Sequence, residues 1–257
     1  MKIATWNVNS LAVRLPQVLD WLSVHQPDAL CLQETKLTDD KFPHAELAAA
    51  GYASQWFGQR TYNGVALLTR APVDDVVKSI PGFDDPQARV IAATLAGVRI
   101  VNVYIPNGQS IESDKFVYKL RWLDALRAWV AEQLALYPRL VLVGDYNIAP
   151  QDCDVHDPVA WAGQVLCTPQ ERAHFQGLMD LGLHDAFRLF EQPPKSWSWW
   201  DYRMLAFRKN QGLRIDHILV SEAVKPSVVA CVIDKLPRKN ERPSDHAPVL
   251  VELSVST

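Results

Sequence analysis

The chain alternates short apolar runs with polar breaks along nearly its whole length. Runs rich in β-branched residues recur at Lys2–Trp6, Ala29–Leu32, Val65–Leu68, Val90–Leu95, Val98–Tyr104, Leu140–Val143, Arg214–Val220, Val228–Ile233 and Val249–Leu253. Runs of this length, bounded by turn-forming residues, predict strands. Three stretches carry a helical period instead. Leu15–Val24 opens with Pro16 in its first turn, where helices tolerate the missing N–H. Lys115–Leu136 sets Phe116, Leu120, Leu123, Leu126, Val130 and Leu134 on one face. Thr168–Leu181 begins Thr-Pro-Gln-Glu, an N-cap followed by proline and an acid in the first turn.

The apolar runs between 65 and 104 succeed one another without helices, which excludes a plain alternating βαβ chain. The pattern predicts an α/β fold with two mixed sheets packed face to face and helices outside them. No Gly-, Ser- or Pro-rich linker divides the 257 residues. Residues 1–257 therefore read as one domain, long enough to bury a sizeable core. Gln192–Lys195, with Pro193 and Pro194, reads as a surface loop.

Composition adds exclusions. Hydrophobic residues make up 48% and charged residues 21%, ordinary for a globular chain. No apolar run approaches the roughly 20 residues of a membrane helix, and the N-terminal segment lacks the build of a signal peptide. The reading is a cytoplasmic protein with no membrane partner. Cys31, Cys153, Cys167 and Cys231 form no CxxC pair, so reduced thiols are expected and structural zinc is not. A net charge of -3 neither announces nor excludes a nucleic-acid partner, because a local basic rim matters more than the sum. Trp197–Tyr202 crowds aromatics together and leads into Arg203, Arg208, Lys209 and Arg214. Such a loop suits wedging into a duplex and gripping its phosphates. A folded-over core loop with solvated charges is the equal alternative.

The informative regularity lies at the ends of the apolar runs. Oxygen-bearing side chains stand there: Asn7, Gln33-Glu34, Tyr104 with Asn107, and Asp145 with Asn147. Asp216 interrupts a run, and Asp245-His246 precedes the last one. Taken singly, Asn7, Asp145-Asn147 and Asp245 read as turn residues, Glu34 equally as a cap, and His246 as a satisfied core histidine. Taken together they read as one convergent site. Burying several carboxylates is costly, and a divalent cation offsets their repulsion. An all-oxygen donor set suits Mg²⁺ or Mn²⁺ rather than zinc.

The motifs Thr5–Asn9, Leu32–Lys36, Asn102–Gly108, Gly144–Asn147, Gly212–Asp216 and Ser244–Pro248 occur in order. Together they resemble the exonuclease III family of class II AP endonucleases, within the endonuclease/exonuclease/phosphatase superfamily, from Lys2 to about Leu253. The resemblance implies a four-layered α/β sandwich. It implies metal-dependent hydrolysis of DNA 5′ to abasic sites, with 3′→5′ exonuclease and 3′-end cleaning activity, by a monomer acting on double-stranded DNA with abasic sites or blocked 3′ ends. The alternatives are a 3′-end-processing exonuclease with weak AP endonuclease activity, and a non-DNA phosphodiesterase of the same superfamily.

By the same resemblance Glu34 is the principal metal ligand for Mg²⁺, with Mn²⁺ as a substitute, and Asn7 and Asp245 are further metal-side groups. Asp145 activates the attacking water, and Asn147 helps to hold it. His246, paired with Asp216, binds the scissile phosphate. Tyr104 and Asn107 contact the phosphate or shape the site. Trp199, Leu213 and Ile215 surround an apolar pocket for an extrahelical abasic sugar. Arg203 and Arg14 are candidate substrate contacts, as are Lys36, Lys115, Arg121 and the run Lys235–Arg242. Bulk at Cys167 is expected to tune endonuclease against 3′-end activity.

Overall fold

Period-two alternation in the strands sets the architecture. The protein is described here by a computed structural model covering residues 1–254. In chain order its strands and α-helices are β1 (Lys2–Asn7), α1 (Leu11–His25), β2 (Ala29–Gln33), α2 (His44–Ala49), β3 (Ala53–Phe57), β4 (Val65–Thr69), β5 (Asp74–Lys78), β6 (Val90–Leu95), β7 (Val98–Tyr104), α3 (Asp114–Leu136), β8 (Leu140–Asp145), α4 (Pro158–Trp161), α5 (Pro169–Met179), β9 (Leu183–Asp185), β10 (Asp216–Ser221), β11 (Val228–Ile233) and β12 (Val249–Leu253). They form two six-stranded sheets, ordered β11-β12-β1-β2-β4-β3 and β5-β6-β7-β8-β10-β9. Each sheet is mixed, with one parallel pair, β1·β2 in the first and β7·β8 in the second.

Successive side chains of a strand point to opposite faces. One set meets between the sheets: Ile3, Cys31 and Leu67 from the first against Ile100, Val143 and Ile218 from the second. The other set faces outward and is covered by helices. Trp6, Leu30 and Leu32 pack with Val18 and Leu22 of α1. Val101, Val103 and Leu142 pack with Trp122 and Leu126 of α3 and Phe175 of α5. The result is the four-layered α/β sandwich expected from the sequence.

Three strands escape the sequence pattern: β3, β5 and β9. All lie at sheet edges, where one side of the strand need not be apolar. β5 reads Asp-Asp-Val-Val-Lys and is mostly exposed. Helix α1 starts at Leu11, so Pro16 falls inside it and not in the expected first turn. The run expected from Arg214 becomes a ladder strand only at Asp216. In α3 the buried face carries Lys119, Trp122, Trp129 and Gln133, and Leu120 is only partly buried. The capping box of α5 forms as the sequence suggests: Thr168 Oγ1 accepts from Glu171 N at 3.1 Å, and Glu171 Oε2 accepts from Thr168 N at 3.0 Å.

Candidate active site

The same alternation that builds the core aims the polar strand ends at one another. On β1, Ile3 points between the sheets, so Thr5 and Asn7 do too. Cys31 carries Gln33 to that side on β2, and Ile100 and Val143 carry Tyr104 and Asp145 on β7 and β8. Register then sets them abreast. Tyr104 pairs with Asp145 across the parallel β7·β8 ladder, and Asp216 pairs with Asp145 across the antiparallel β10·β8 ladder. Asn7 lies beside Gln33 in the other sheet, with Glu34 next in the chain. Asp245 and His246 arrive on the turn before β12, which pairs with β1. Six segments therefore end around one cleft of about 390 Å³.

Asn7 is the hinge between the sheets. Its Nδ2 donates to Glu34 Oε1 at 2.8 Å and to Asp145 Oδ2 at 2.9 Å. Asp145 Oδ1 accepts the backbone N–H of Asn147 at 2.9 Å. Asn147 Nδ2 reaches Ile105 O at 3.0 Å, and its Oδ1 accepts from Asn107 Nδ2 at 3.0 Å. His246 Nδ1 sits 2.9 Å from Asp216 Oδ2, and His246 Nε2 lies 3.7 Å from Asp145 Oδ2. The aspartate therefore holds one ring nitrogen and leaves the other facing the cleft.

The backbone is strained where these groups sit. Glu34 and Asn147 adopt φ of 52° and 50°, left-handed conformations that cost about 1–3 kcal/mol each and persist only when the surroundings enforce them. Glycine supplies one close approach. A Cβ on Gly144 would lie 1.9 Å from Val103 O, so any side chain there would push β8 away from β7 and take Asp145 with it.

Burial dominates the electrostatics. It raises the Asp145 carboxyl above its usual range, against the pull of the His246 imidazole. It lowers the His246 pKa, but the carboxylates of Asp216 and Asp145 outweigh it and the net shift is upward. An imidazolium therefore faces the cleft at neutral pH. Burial, reinforced by the charges of Glu34 and Asp145, keeps the Tyr104 phenol protonated.

Not every residue singled out in the sequence lies where expected. Glu34, Tyr104, Asn107, Asp145, Asn147, Trp199, Arg203, Ile215, Asp245 and His246 line the cleft. Asn7 is buried beneath them and meets the carboxylates through its amide N–H, so in this arrangement it orients them. Its Oδ1 is taken by the N–H of Asn9 at 3.0 Å. The close-set ligand atoms belong to Glu34, Asp145 and His246, within 4.8 Å of one another. Asp245 stands outside that group, accepting from Trp199 Nε1 and Asn9 Nδ2, each at 3.0 Å. Leu213 does not line the cleft but a neighbouring recess, which shares Trp199 with it.

Several expected phosphate contacts are committed to the fold. Arg14 donates to Asn9 O, Arg242 O and Pro243 O. Arg214 is buried between Asp154 and Asp185, 2.7 Å from each. Arg238 is held by Ser244 O. Each guanidinium is used to fix a loop. Lys36 lies 2.8 Å from Glu34 Oε2, and Arg203 chelates Asp201. In the aromatic loop, Trp197 and Trp200 are core residues. Of its aromatic residues, Trp199 lines the cleft beside Asp201, and Tyr202 is exposed.

Two contributors escaped the sequence reading. Lys119 and Glu171 form a buried ion pair behind the cleft. A second groove of about 690 Å³ runs from Tyr104 and Asn107 to Arg89 and Lys115. For Lys119 the signal was present: it falls three residues after Phe116 and four before Leu123, on the apolar face of α3.

A divalent cation fits this donor set. The carboxylates of Glu34 and Asp145 converge on a single amide, and their mutual charge helps raise the Asp145 pKa. Carboxylate oxygens suit hard cations, and all four cysteines lie elsewhere.

The family model for the Endonuclease/Exonuclease/phosphatase family matches residues 4–246. The exodeoxyribonuclease III of Haemophilus influenzae is 35% identical, covering 98% of this chain and 99% of its own. Among solved structures, a Neisseria 3′ phosphatase, NExo, bound to a product DNA hairpin superposes with a TM-score of 0.98 at 49% identity, covering 99% of this chain and 100% of its own. An AP endonuclease from Archaeoglobus fulgidus gives 0.95 at 34%, with the same coverage. With the strand-end site and the four-layered fold, these matches lead to one assignment: the chain belongs to the endonuclease/exonuclease/phosphatase family, in its exonuclease III group.

Proposed function

We propose that this protein is a DNA repair phosphodiesterase that uses a divalent metal, Mg²⁺ in the first instance. Its substrates are the bond 5′ to an abasic site in duplex DNA and blocked 3′ ends. The carrying observation is the meeting of Glu34, Asp145, Asn147 and His246 in one cleft that also has an apolar wall of Leu166, Trp199 and Ile215.

A phosphodiester is an anion and repels nucleophiles, so catalysis needs charge compensation and an aligned water. Glu34 and Asp145 would hold the cation, which when bound would supply that compensation to the phosphate and the leaving oxygen. Asp145, steadied by Asn7 and the N–H of Asn147, accepts a proton from the attacking water. His246 donates from Nε2 to a phosphate oxygen while Asp216 holds Nδ1. Tyr104, protonated, donates its hydroxyl to the same group, and Asn107 and Asn147 hold each other in place. The apolar wall takes a sugar without a base, which unstacks at little cost. Lys115 and Arg89, along the adjoining groove, track the backbone.

The test is duplex DNA carrying one abasic analogue, incubated with Mg²⁺ or with EDTA, beside an Asp145→Asn variant. Metal-dependent nicking of the lesion strand is expected, falling by about 10³-fold in the variant. Equal cutting in EDTA refutes the reading.

A second reading has its own support: 3′-end processing as the main activity, with weak endonuclease action. The relative named a 3′ phosphatase is 49% identical. Cys167 is buried against Leu166 and Leu213 in the apolar cluster of the pocket wall. Cys167→Gly enlarges the pocket and should raise the ratio of abasic nicking to 3′-phosphate release by roughly tenfold. An unchanged ratio removes Cys167 from the account.

A further inference from the structure

Lys119 and Glu171 are both fully buried, with their charged atoms 2.5 Å apart. Taking two charges out of water is expensive, and packed apolar residues at such an interface are often as stable. What distinguishes this pair is everything else that it holds. The Lys119 ammonium has three protons and three partners: Glu171 Oε1, Asn147 O at 2.7 Å and Asn107 O at 3.1 Å. These carbonyls belong to the two residues whose amides meet in the cleft. Glu171 grips the other side. Its Oε1 accepts from Leu166 N at 3.0 Å, and its Oε2 accepts from Thr168 N and Thr168 Oγ1 at 3.0 and 2.7 Å. Leu166 and Cys167 belong to the apolar cluster of the wall, and Ala149 N bonds Leu166 O at 2.8 Å, tying that wall to the Asp145–Asn147 loop. Both loops contain non-glycine residues with left-handed backbone, Asn147 and Leu166, and need enforcement from outside.

We propose that Lys119 and Glu171 are positioning residues: their ion pair sets the distance between the paired amides of Asn107 and Asn147 and the wall of the sugar pocket, coupling substrate fit to catalytic alignment. The proposal rests on the nuclease reading above. Neither side chain touches substrate. A shift of about 1 Å in the loops they hold is enough to cost roughly 10²-fold in rate.

The experiment compares wild type, Lys119→Met, Glu171→Leu and the double variant Lys119→Met/Glu171→Leu on duplex with an abasic analogue in Mg²⁺. Each single change strands a buried charge and should lower Tm by roughly 10 °C. The double change strands no charge and should recover part of that loss, although it leaves Asn107 O, Asn147 O, Leu166 N and Thr168 N without these partners. The brace predicts that its kcat nevertheless stays about 10²-fold down, with KM within about threefold of wild type. A purely structural pair predicts that kcat returns with Tm, and that result overturns the proposal. A large rise in KM with normal kcat overturns it too. Should the double variant melt below assay temperature, Lys119→Arg keeps the charge but reaches both carbonyls less well, because its fork is planar. The brace predicts about a tenfold kcat loss at near-normal Tm, and no loss overturns it. Failure of the wild type to nick at all sinks the abasic-site reading, and with it the brace as a coupling to the sugar pocket. Wild-type cutting matched by the double variant sinks the brace alone.

Discussion

At the scale of single residues, the site runs on charge placed where burial opposes it. Asp216 shows this most simply. It is buried and stands 2.9 Å from His246 Nδ1, and its carboxylate is the largest influence holding the ring protonated against desolvation. Asp216→Asn keeps the shape and the capacity to accept from Nδ1, but removes the charge. The ring should then present a neutral imidazole to the cleft. Single-turnover nicking of abasic duplex at neutral pH should fall by about 10²-fold with little change in binding. A variant within threefold of wild type would show that His246 works without its charge. The candidate catalytic residues were legible jointly and not singly: Asp145 and Asp245 pass for turn residues and His246 for a core histidine, and only the recurrence of oxygen-bearing side chains at the ends of several apolar runs marks a site. Arg14, Arg214 and Arg238 misled for the opposite reason. Their types suit phosphate equally well, and nothing along the chain reveals that loop carbonyls or buried aspartates have claimed them.

At the scale of elements, strand periodicity was legible because burial on one or both faces forces it; of the four edge strands only β11 carries enough apolar β-branched residues to show, and β3, β5 and β9 do not. Periodicity also explains the convergence of the site, since each strand-borne site residue keeps phase with core residues of its own strand: Asn7 with Ile3, Tyr104 with Ile100, Asp145 with Val143 and Asp216 with Ile218. What it does not give is the relative shift of the two sheets, which depends on contacts across the core. The structure locates that control in Gln33 and Asn102. Gln33 Nε2 donates to Asn102 Oδ1 at 2.7 Å and to Thr5 Oγ1 at 2.8 Å. Asn102 Nδ2 crosses from β7 to Leu32 O at 3.0 Å and Ala66 O at 2.9 Å in the other sheet. These polar side chains sit in an otherwise apolar interior and are slid into register by their hydrogen bonds. Asn102→Leu keeps the volume but leaves the Gln33 amide short of a partner. The expected cost is about 2 kcal/mol, a fall in Tm of roughly 5 °C for a chain of this size. Loss of nicking activity should exceed what the stability change explains, because Glu34 comes directly after Gln33. Unchanged melting would show that the sheets are registered by shape alone.

At the scale of the whole molecule, the cleft is braced from behind by a buried polar cluster that responds to pH. Arg214 joins Asp154 to Asp185, and its Nη1 lies 3.0 Å from His217 Nδ1. His217 Nε2 lies 2.8 Å from Ile148 O, so the ring is a neutral tautomer accepting from arginine and donating to the loop after Asn147. Burial, then the Arg214 charge, lowers its pKa to about 4 from an ordinary 6.5. The folded protein therefore binds this proton less readily than the unfolded chain. Stability tied to His217 is complete above pH 6.5 and drains away as pH falls towards 4, by about 3 kcal/mol in all. Asp145 acts in the opposite sense in the acid range, because its raised pKa lets the folded state take up a proton first. A single pH profile would blend the two. Urea unfolding of wild type and His217→Gln, each measured from pH 7 down to pH 4, separates them, since the Asp145 contribution is common to both. The stability of wild type relative to the variant should decline by about 3 kcal/mol over that range. A constant difference would mean that the ring gains its proton in the folded protein as easily as in the unfolded chain, and that the cluster behind the cleft is open to water.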